Sequence, residues 1–254
     1  MRHVPTLLKR ELAAYFLGPM AFLILLAFQL IAWLNFWELV DNLSRPQQSV
    51  SGRFEPLNMY IAGSMPFWIA LMVAVPALTM RLIAEERRAG TIEPLLTVPI
   101  TETEVVVAKW LAGVVMYLVL LVPFFLYLPF LYHLGKFHFD TGPITSLSIG
   151  LTTMGMMFIA IGLFFSALTK NQIIAAIWTF VMLFLIVFLM HLLNLLAASQ
   201  QSPWSEGLRF VAVTHQLQEF GVGKLDPRFL TLHLSVTAFL LYLTVKTLQT
   251  RRAI

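Results

Sequence analysis

The chain is predicted to be an all-α integral membrane protein. It has six transmembrane helices, an interfacial helix before them, and a short helix held outside the bilayer between the second and third spans. Three observations predict this. Hydrophobic residues make up 59% of the 254 and charged residues only 12%, with a mean hydropathy of +0.81. An ordinary soluble domain carries about 25% charged residues, and one of this size cannot bury so much apolar surface. Second, six apolar runs are each long enough for a bilayer core, which needs roughly 20 residues per helix. Third, acids and bases gather beside these runs and not inside them.

The first element covers residues 5–17, within PTLLKRELAAYFLGP. Leu7, Leu8, Leu12, Tyr15 and Phe16 can share one helical face, with Lys9, Arg10 and Glu11 off it. That pattern suits a helix lying in the interface, its cations toward lipid headgroups. A first span that starts early is the alternative reading. Gly18-Pro19 separates the element from the first span. The N-terminus does not read as a signal peptide, because the apolar run is too long and no small-residue cleavage site comes after it.

The spans fall at residues 19–40, 57–83, 105–134, 144–168, 173–196 and 229–248, in a single transmembrane domain covering 1–254. Their central parts lack Lys, Arg, Asp and Glu, each of which costs about 2.5–3.5 kcal/mol at a helix centre. Lys109 and Lys246 sit near span ends, where they can snorkel outward. Pro66, Pro76, Pro123 and Pro129 fall within spans and predict kinks. Gln29, His191 and Asn194 are polar residues within spans, candidates either for a polar path or for hydrogen-bonded packing. Ser148, Thr152, Gly155, Gly162 and Ser166 share a face of the fourth span. Small residues admit a close neighbour, from the same subunit or from a second one. The segment 197–228 still carries Trp204, Leu208, Phe210, Val211, Leu217 and Phe220, which predicts short helices dipping into the outer interface.

Orientation comes from the basic residues. With both termini in the cytoplasm, eleven of the 17 Lys and Arg lie inside and six outside, which satisfies the positive-inside rule. The stretch RLIAEERRAGTIEPLLTVPITETEVVVAKW, residues 81–110, is then cytoplasmic. Residues 81–88 continue the second helix outward, and Gly90 ends it. Thr91 can cap a short helix through Ile92, Glu93, Leu95 and Leu96, with Pro94 tolerated in its first turn. Thr101 and Glu104 have the S/T-x-x-E form of a capping box opening the third span. Ile92, Leu95 and Leu96, ringed by Glu85, Glu86, Arg87, Arg88 and Glu93, suit a protein-docking surface. A loop dipping back toward the headgroups is the other reading.

Several chemistries are excluded. The chain has no cysteine, no G-x-x-x-x-G-K-[ST] phosphate loop, no H-E-x-x-H and no G-x-S-x-G. It is therefore expected to carry no catalytic residues and to bind no cofactor of its own; ATP hydrolysis would belong to another polypeptide. His133 and His138, with Met154, Met156 and Met157, suggest a copper path only weakly, since methionine is common filler in apolar helices. No metal site is assigned. The net charge of +4 is scattered at helix ends, so nucleic acid is not a predicted partner.

The motif E-E-R-x-x-G-T-I-E-P-L-L-x-x-P-I-x-x-x-E-x-x-x-A-K-W, residues 85–110, resembles the cytoplasmic segment of ATP-binding-cassette type-2 (ABC-2) exporter permeases. It is most similar to the gliding-motility-type branch and its relative in nitrous-oxide-reductase copper maturation. Lys9-Arg10-Glu11-Leu12 with Tyr15-Phe16 before Gly-Pro resembles that family's N-terminal connecting helix. The resemblance implies the six-span permease fold in a bacterial inner membrane. It makes residues 85–104 a coupling segment seated on a separate ATPase subunit, with contacts at Glu85, Glu86, Arg87, Gly90, Thr91, Ile92, Glu93, Leu95 and Leu96. It further implies two ATPase subunits holding ATP and Mg2+, and a second permease copy forming a homodimer or heterodimer. The leading expectation is an exporter permease, with a slight lean toward lipid-like, peptide or hydrophobic cargo. The alternatives are an ATP-driven mechanical or regulatory subunit pulling on a periplasmic partner through residues 197–228, and a lipid-modifying enzyme, disfavoured for want of a catalytic constellation.

Overall fold

The computed structural model describes residues 3–44, 58–90, 101–135, 141–199 and 204–252. All regular structure among them is helical. In chain order these are α1 (Val4–Leu17), α2 (Pro19–Ser44), a π-helical turn (Asn58–Ala62), α3 (Met65–Thr79), α4 (Ala84–Ala89), α5 (Glu102–Gly135), α6 (Thr141–Leu168) and α7 (Gln172–Phe184). A π-helical stretch, Leu185–Leu189, joins α7 to α8 (Met190–Ser199); α9 (Ser205–Val211), α10 (Val213–Gly221) and α11 (Pro227–Arg252) complete the order.

Six helical segments are long and apolar enough to cross a membrane: Pro19–Asn42, Met65–Ala89, Glu102–Pro129, Thr141–Leu168, Gln172–Leu193 and Pro227–Thr250. The second begins later than the apolar run suggests. Asn58–Ala62 forms its own turn, and Ser64 then caps α3 by accepting from Phe67 N at 3.3 Å. Pro66 sits in the first turn of α3. There its missing donor has no intrahelical partner to lose, so it starts the helix and does not kink it.

The windows in α3–α4 and α6 are 72% and 67% buried, whereas those in α2, α7–α8 and α11 are each 22% buried. The bundle is therefore built around α3 and α6. The outer helices turn large apolar side chains outward, among them Leu26, Trp33 and Trp37 of α2 and Ile177 and Trp178 of α7. Packing such surface toward lipid leaves it as stable as packing it inward. An aromatic hub closes one end of the core: the Phe124 ring lies 5.4 Å from Phe28, 5.6 Å from Tyr60 and 5.1 Å from Phe67.

Gly155 and Gly162 of the small face of α6 pack against neighbours within the subunit. A Cβ on Gly155 would collide with the Tyr117 ring of α5, and one on Gly162 with Thr79 of α3. Trp110 and Tyr117 of α5 each donate to an α6 carbonyl, at Met156 and Leu151. Close backbone approach is what glycine permits here.

Two ends of the bundle can be distinguished. At one, here the terminal end, Leu248 of α11 packs with Leu82, Ile83, Val106, Leu163 and Ala167. At the other, the distal end, α9 and α10 fold back onto the bundle. The expected short helices in 197–228 are thus present, and α10 goes deeper than a surface element: Val213 and Leu217 join the main core. Phe220 fills the space above Gly150.

Candidate functional site

The charged segment singled out in the sequence emerges at the terminal end. The helix does not run straight from 81 to 88. It breaks after Thr79 and restarts as α4 at Ala84. A break inside an apolar bundle strands backbone groups that must be paired. Ser166 of α6 pairs them: its hydroxyl donates to Met80 O at 3.2 Å and accepts from Ile83 N at 3.1 Å and Ala84 N at 3.0 Å. One turn on, the Arg87 guanidinium donates to Ala167 O. Gly90 then closes α4 at φ +70°, and its N–H donates to Glu86 O, the left-handed cap that favours glycine.

The capping box of α5 forms as expected. Thr101 N donates to Glu104 Oε2 and Glu104 N to Thr101 Oγ1, both at 3.3 Å. Gly90 and Thr101 therefore bracket the segment between α4 and α5. Thr91, Ile92, Glu93, Leu95 and Leu96 lie outside the described residues.

A four-residue ion network ties three helices together beside this bracket. The side chain of Lys109, on α5, is only 3% exposed. Its Nζ lies 3.0 Å from Glu11 Oε1 of α1 and 2.9 Å from Glu86 Oε1 of α4. Arg10 reaches both carboxylates at 3.1 Å. Lys109 thus does not snorkel, and Glu11 is not on the outer face of α1. A buried ammonium without carboxylate partners would be strongly destabilising, so both acids turn inward. Lys9 remains exposed, and Glu85 is exposed on α4.

Around the network, α1 is a separate helix packed against α5, with Leu7 buried beside Val105 and Ala108. Phe16 does not join that buried face and is 41% exposed. Tyr15 donates to Leu78 O at 2.7 Å, one residue before the last of α3. Burial pushes the Tyr15 phenol above its ordinary pKa; Glu11 adds to that shift and Arg81 opposes it.

A sequence model for ABC-2 family transporter proteins matches residues 11–246, a stretch that takes in Glu11, Glu86, Lys109 and Ser166. The chain belongs to the ABC-2 family. It is a multi-pass membrane protein and the membrane component of an ABC transporter, a class that is typically non-catalytic and that implies an ABC ATPase as partner. No curated protein sequence matches the chain.

Two of the polar span residues of this ABC-2 chain make hydrogen bonds inside the bundle. Gln29 of α2 donates to Tyr127 Oη of α5 at 2.5 Å. His191 Nδ1 lies 3.0 Å from Thr214 Oγ1 of α10. The side chain of Asn194 lies outside the described residues. Lys246 sits 5.7 Å from the Tyr242 ring centre, a cation–π arrangement. Among the described residues, no group of three His, Asp or Glu could hold a metal ion.

The sequence pattern did not reveal a second polar chain at the distal end. Gln216 of α10 donates to Phe210 O at 2.6 Å, leaving its Oε1 as acceptor for His233 Nε2 at 2.8 Å. His233 Nδ1 lies 3.2 Å from Thr153 Oγ1 of α6. Both Gln216 and His233 are 1% exposed. The available signal was His233 itself, a polar side chain six residues into the last helix.

Proposed function

We propose that this chain is an exporter permease whose segment between α4 and α5 seats on a cytoplasmic ATPase subunit. The observation that carries the reading is the way α4 is fastened. Ser166 and Arg87 bind it to α6, and Glu86 binds it through Lys109 and Arg10 to α5 and α1. A push delivered at residues 91–100 would reach three helices of the bundle as one body. Driving a two-state protein from 1:99 to 99:1 takes about 5.5 kcal/mol of differential binding. Burying one Leu or Ile is worth about 1.5–3 kcal/mol, so Ile92, Leu95 and Leu96 together reach the required order.

On this reading two ATPase subunits, holding ATP and Mg2+, act on a pair of permeases, either two copies of this chain or this chain and a related one. Both termini face the cytoplasm of a bacterial inner membrane. The motif over residues 85–110 is our ground for the gliding-motility-type branch or its nitrous-oxide-reductase-maturation relative. Leu95→Asp and Glu93→Arg should each abolish co-purification with the ATPase while leaving membrane insertion intact. Normal ATPase binding and stimulation in both variants would sink the proposal.

A force-transmitting role is the second reading, and α10 favours it. Because Phe220 seats over Gly150 and Gln216 holds His233, movement of α6 or α11 would carry α9–α10 with it. Reconstitution separates the two: ATP-driven solute movement supports export, whereas tight coupling without transport supports force on a periplasmic partner.

A further inference from the structure

At the elbow between α1 and α2 the terminal end has a half-open cavity of about 520 Å³, walled by α1, α2, α3, the α3–α4 break, α4 and Lys109 of α5. Its chemistry changes along its length. One end is apolar, lined by Ala21, Ile24 and Ala77, and the other carries charge. Ile24 lies five residues inside α2, about 8 Å along the helix at 1.5 Å per residue. Ala21 and Ile24 belong to the first candidate span, so with that span in the bilayer the apolar end borders the hydrocarbon layer, which an acyl chain can enter and a water-soluble partner cannot.

The charged end holds three basic side chains, Arg10, Arg81 and Lys109, and three acidic ones, Glu11, Glu85 and Glu86, so its formal charge is zero. Arg10, Glu11, Glu86 and Lys109 bind one another. The side chains of Arg81 and Glu85 make no hydrogen bond or ion pair among the described residues. The cavity thus offers one uncommitted cation, one uncommitted anion and an apolar slot. An anionic lipid would leave Glu85 facing like charge, whereas a zwitterion matches both groups.

We propose that this cavity holds one phospholipid with an amine headgroup, its phosphate on Arg81, its ammonium on Glu85 and one acyl chain along Ala21, Ile24 and Ala77. The lipid would fill the wedge between α1 and the α3–α4 break. The inference does not depend on the ATPase reading.

The test uses the purified full-length chain, with lipid retention read by native mass spectrometry. Phosphatidylethanolamine and phosphatidylglycerol of matched chains are the probes, and glycerophosphoethanolamine is the chain-free competitor. The wild type should retain phosphatidylethanolamine preferentially. Arg81→Ala should weaken both lipids about tenfold, the scale of one lost charge-assisted hydrogen bond. Glu85→Gln should erase the preference, and Ile24→Trp should expel the chain; Ala77→Leu serves as the second filling variant if the tryptophan prevents folding. Equal retention of the two lipids by the wild type overturns the headgroup assignment. Unchanged retention in Arg81→Ala and the filling variant, or displacement by equimolar glycerophosphoethanolamine, overturns the site.

Discussion

The Nζ of Lys109 lies 2.9 Å from Glu86 Oε1, joining the start of the third span to the end of the second. Lys109→Met would leave Glu11 and Glu86 facing each other with only the half-exposed Arg10 between them. Breaking a buried pair by removing one partner costs about 3–5 kcal/mol. The purified variant should melt well below wild type in detergent. Adding Glu11→Gln and Glu86→Gln to Lys109→Met should recover much of the loss, since the only charge left is that of Arg10, whose side chain is 52% exposed and can face water. A single variant with wild-type melting would show that the network contributes nothing to stability.

Ser166→Ala removes the hydroxyl that pairs Met80 O, Ile83 N and Ala84 N. Each unsatisfied buried group costs about 1–3 kcal/mol. Hydrogen exchange at the amides of Ile83 and Ala84 should accelerate by about tenfold or more, the factor that 1.4 kcal/mol represents, while the middle of α6 keeps its protection. Unchanged exchange at these two amides would mean that water satisfies the break instead.

Gly155→Leu and Gly162→Leu should each prevent close packing, because the spaces are occupied by Tyr117 and Thr79. Overpacking costs typically about 1–3 kcal/mol and sometimes more. Gly142→Ala and Gly207→Ala meet open space and should behave like wild type. Monodispersity on size exclusion and thermal melting distinguish the two pairs. Loss of dimerisation with unchanged monomer stability in Gly155→Leu would move this face to a subunit interface.

His215 of α10, outside the spans, has its pKa lowered chiefly by burial; Glu219 opposes that shift, and Arg209 and Lys224 reinforce it. Its Nδ1 has no hydrogen-bond partner among the described residues. The unfolded chain therefore binds the proton more readily than the folded one, so stability rises with pH. This contribution is complete above the unfolded value of about 6.5 and is lost as pH falls from there through the lower folded value. His215→Phe should flatten the melting-temperature profile below about pH 7. An unchanged slope would assign the pH dependence to other groups.

Much of this architecture was legible in the residues alone. Six apolar runs, the Gly90 cap and the Thr101–Glu104 box are local patterns, set by helical period, bilayer thickness and the chemistry of helix ends. Such signals need only a few neighbouring residues, so they survive without knowledge of the fold. Pro66 shows where local reading falters: Ser64 two residues earlier turns a predicted kink into a helix start.

The rest was decided by tertiary structure. Glu11 and Lys109 are far apart in the chain, and nothing in the spacing of either predicts their contact at 3.0 Å. Ser166 looked like part of a small packing face; only the break in the facing helix gives its hydroxyl three partners. Gln216, His233 and Thr153 likewise come from three separate helices. Composition and period determined which segments are helices and which of them cross the bilayer. The choice of partner for each buried polar group came from packing, because low-dielectric surroundings make an unpaired charge or amide too unstable to keep.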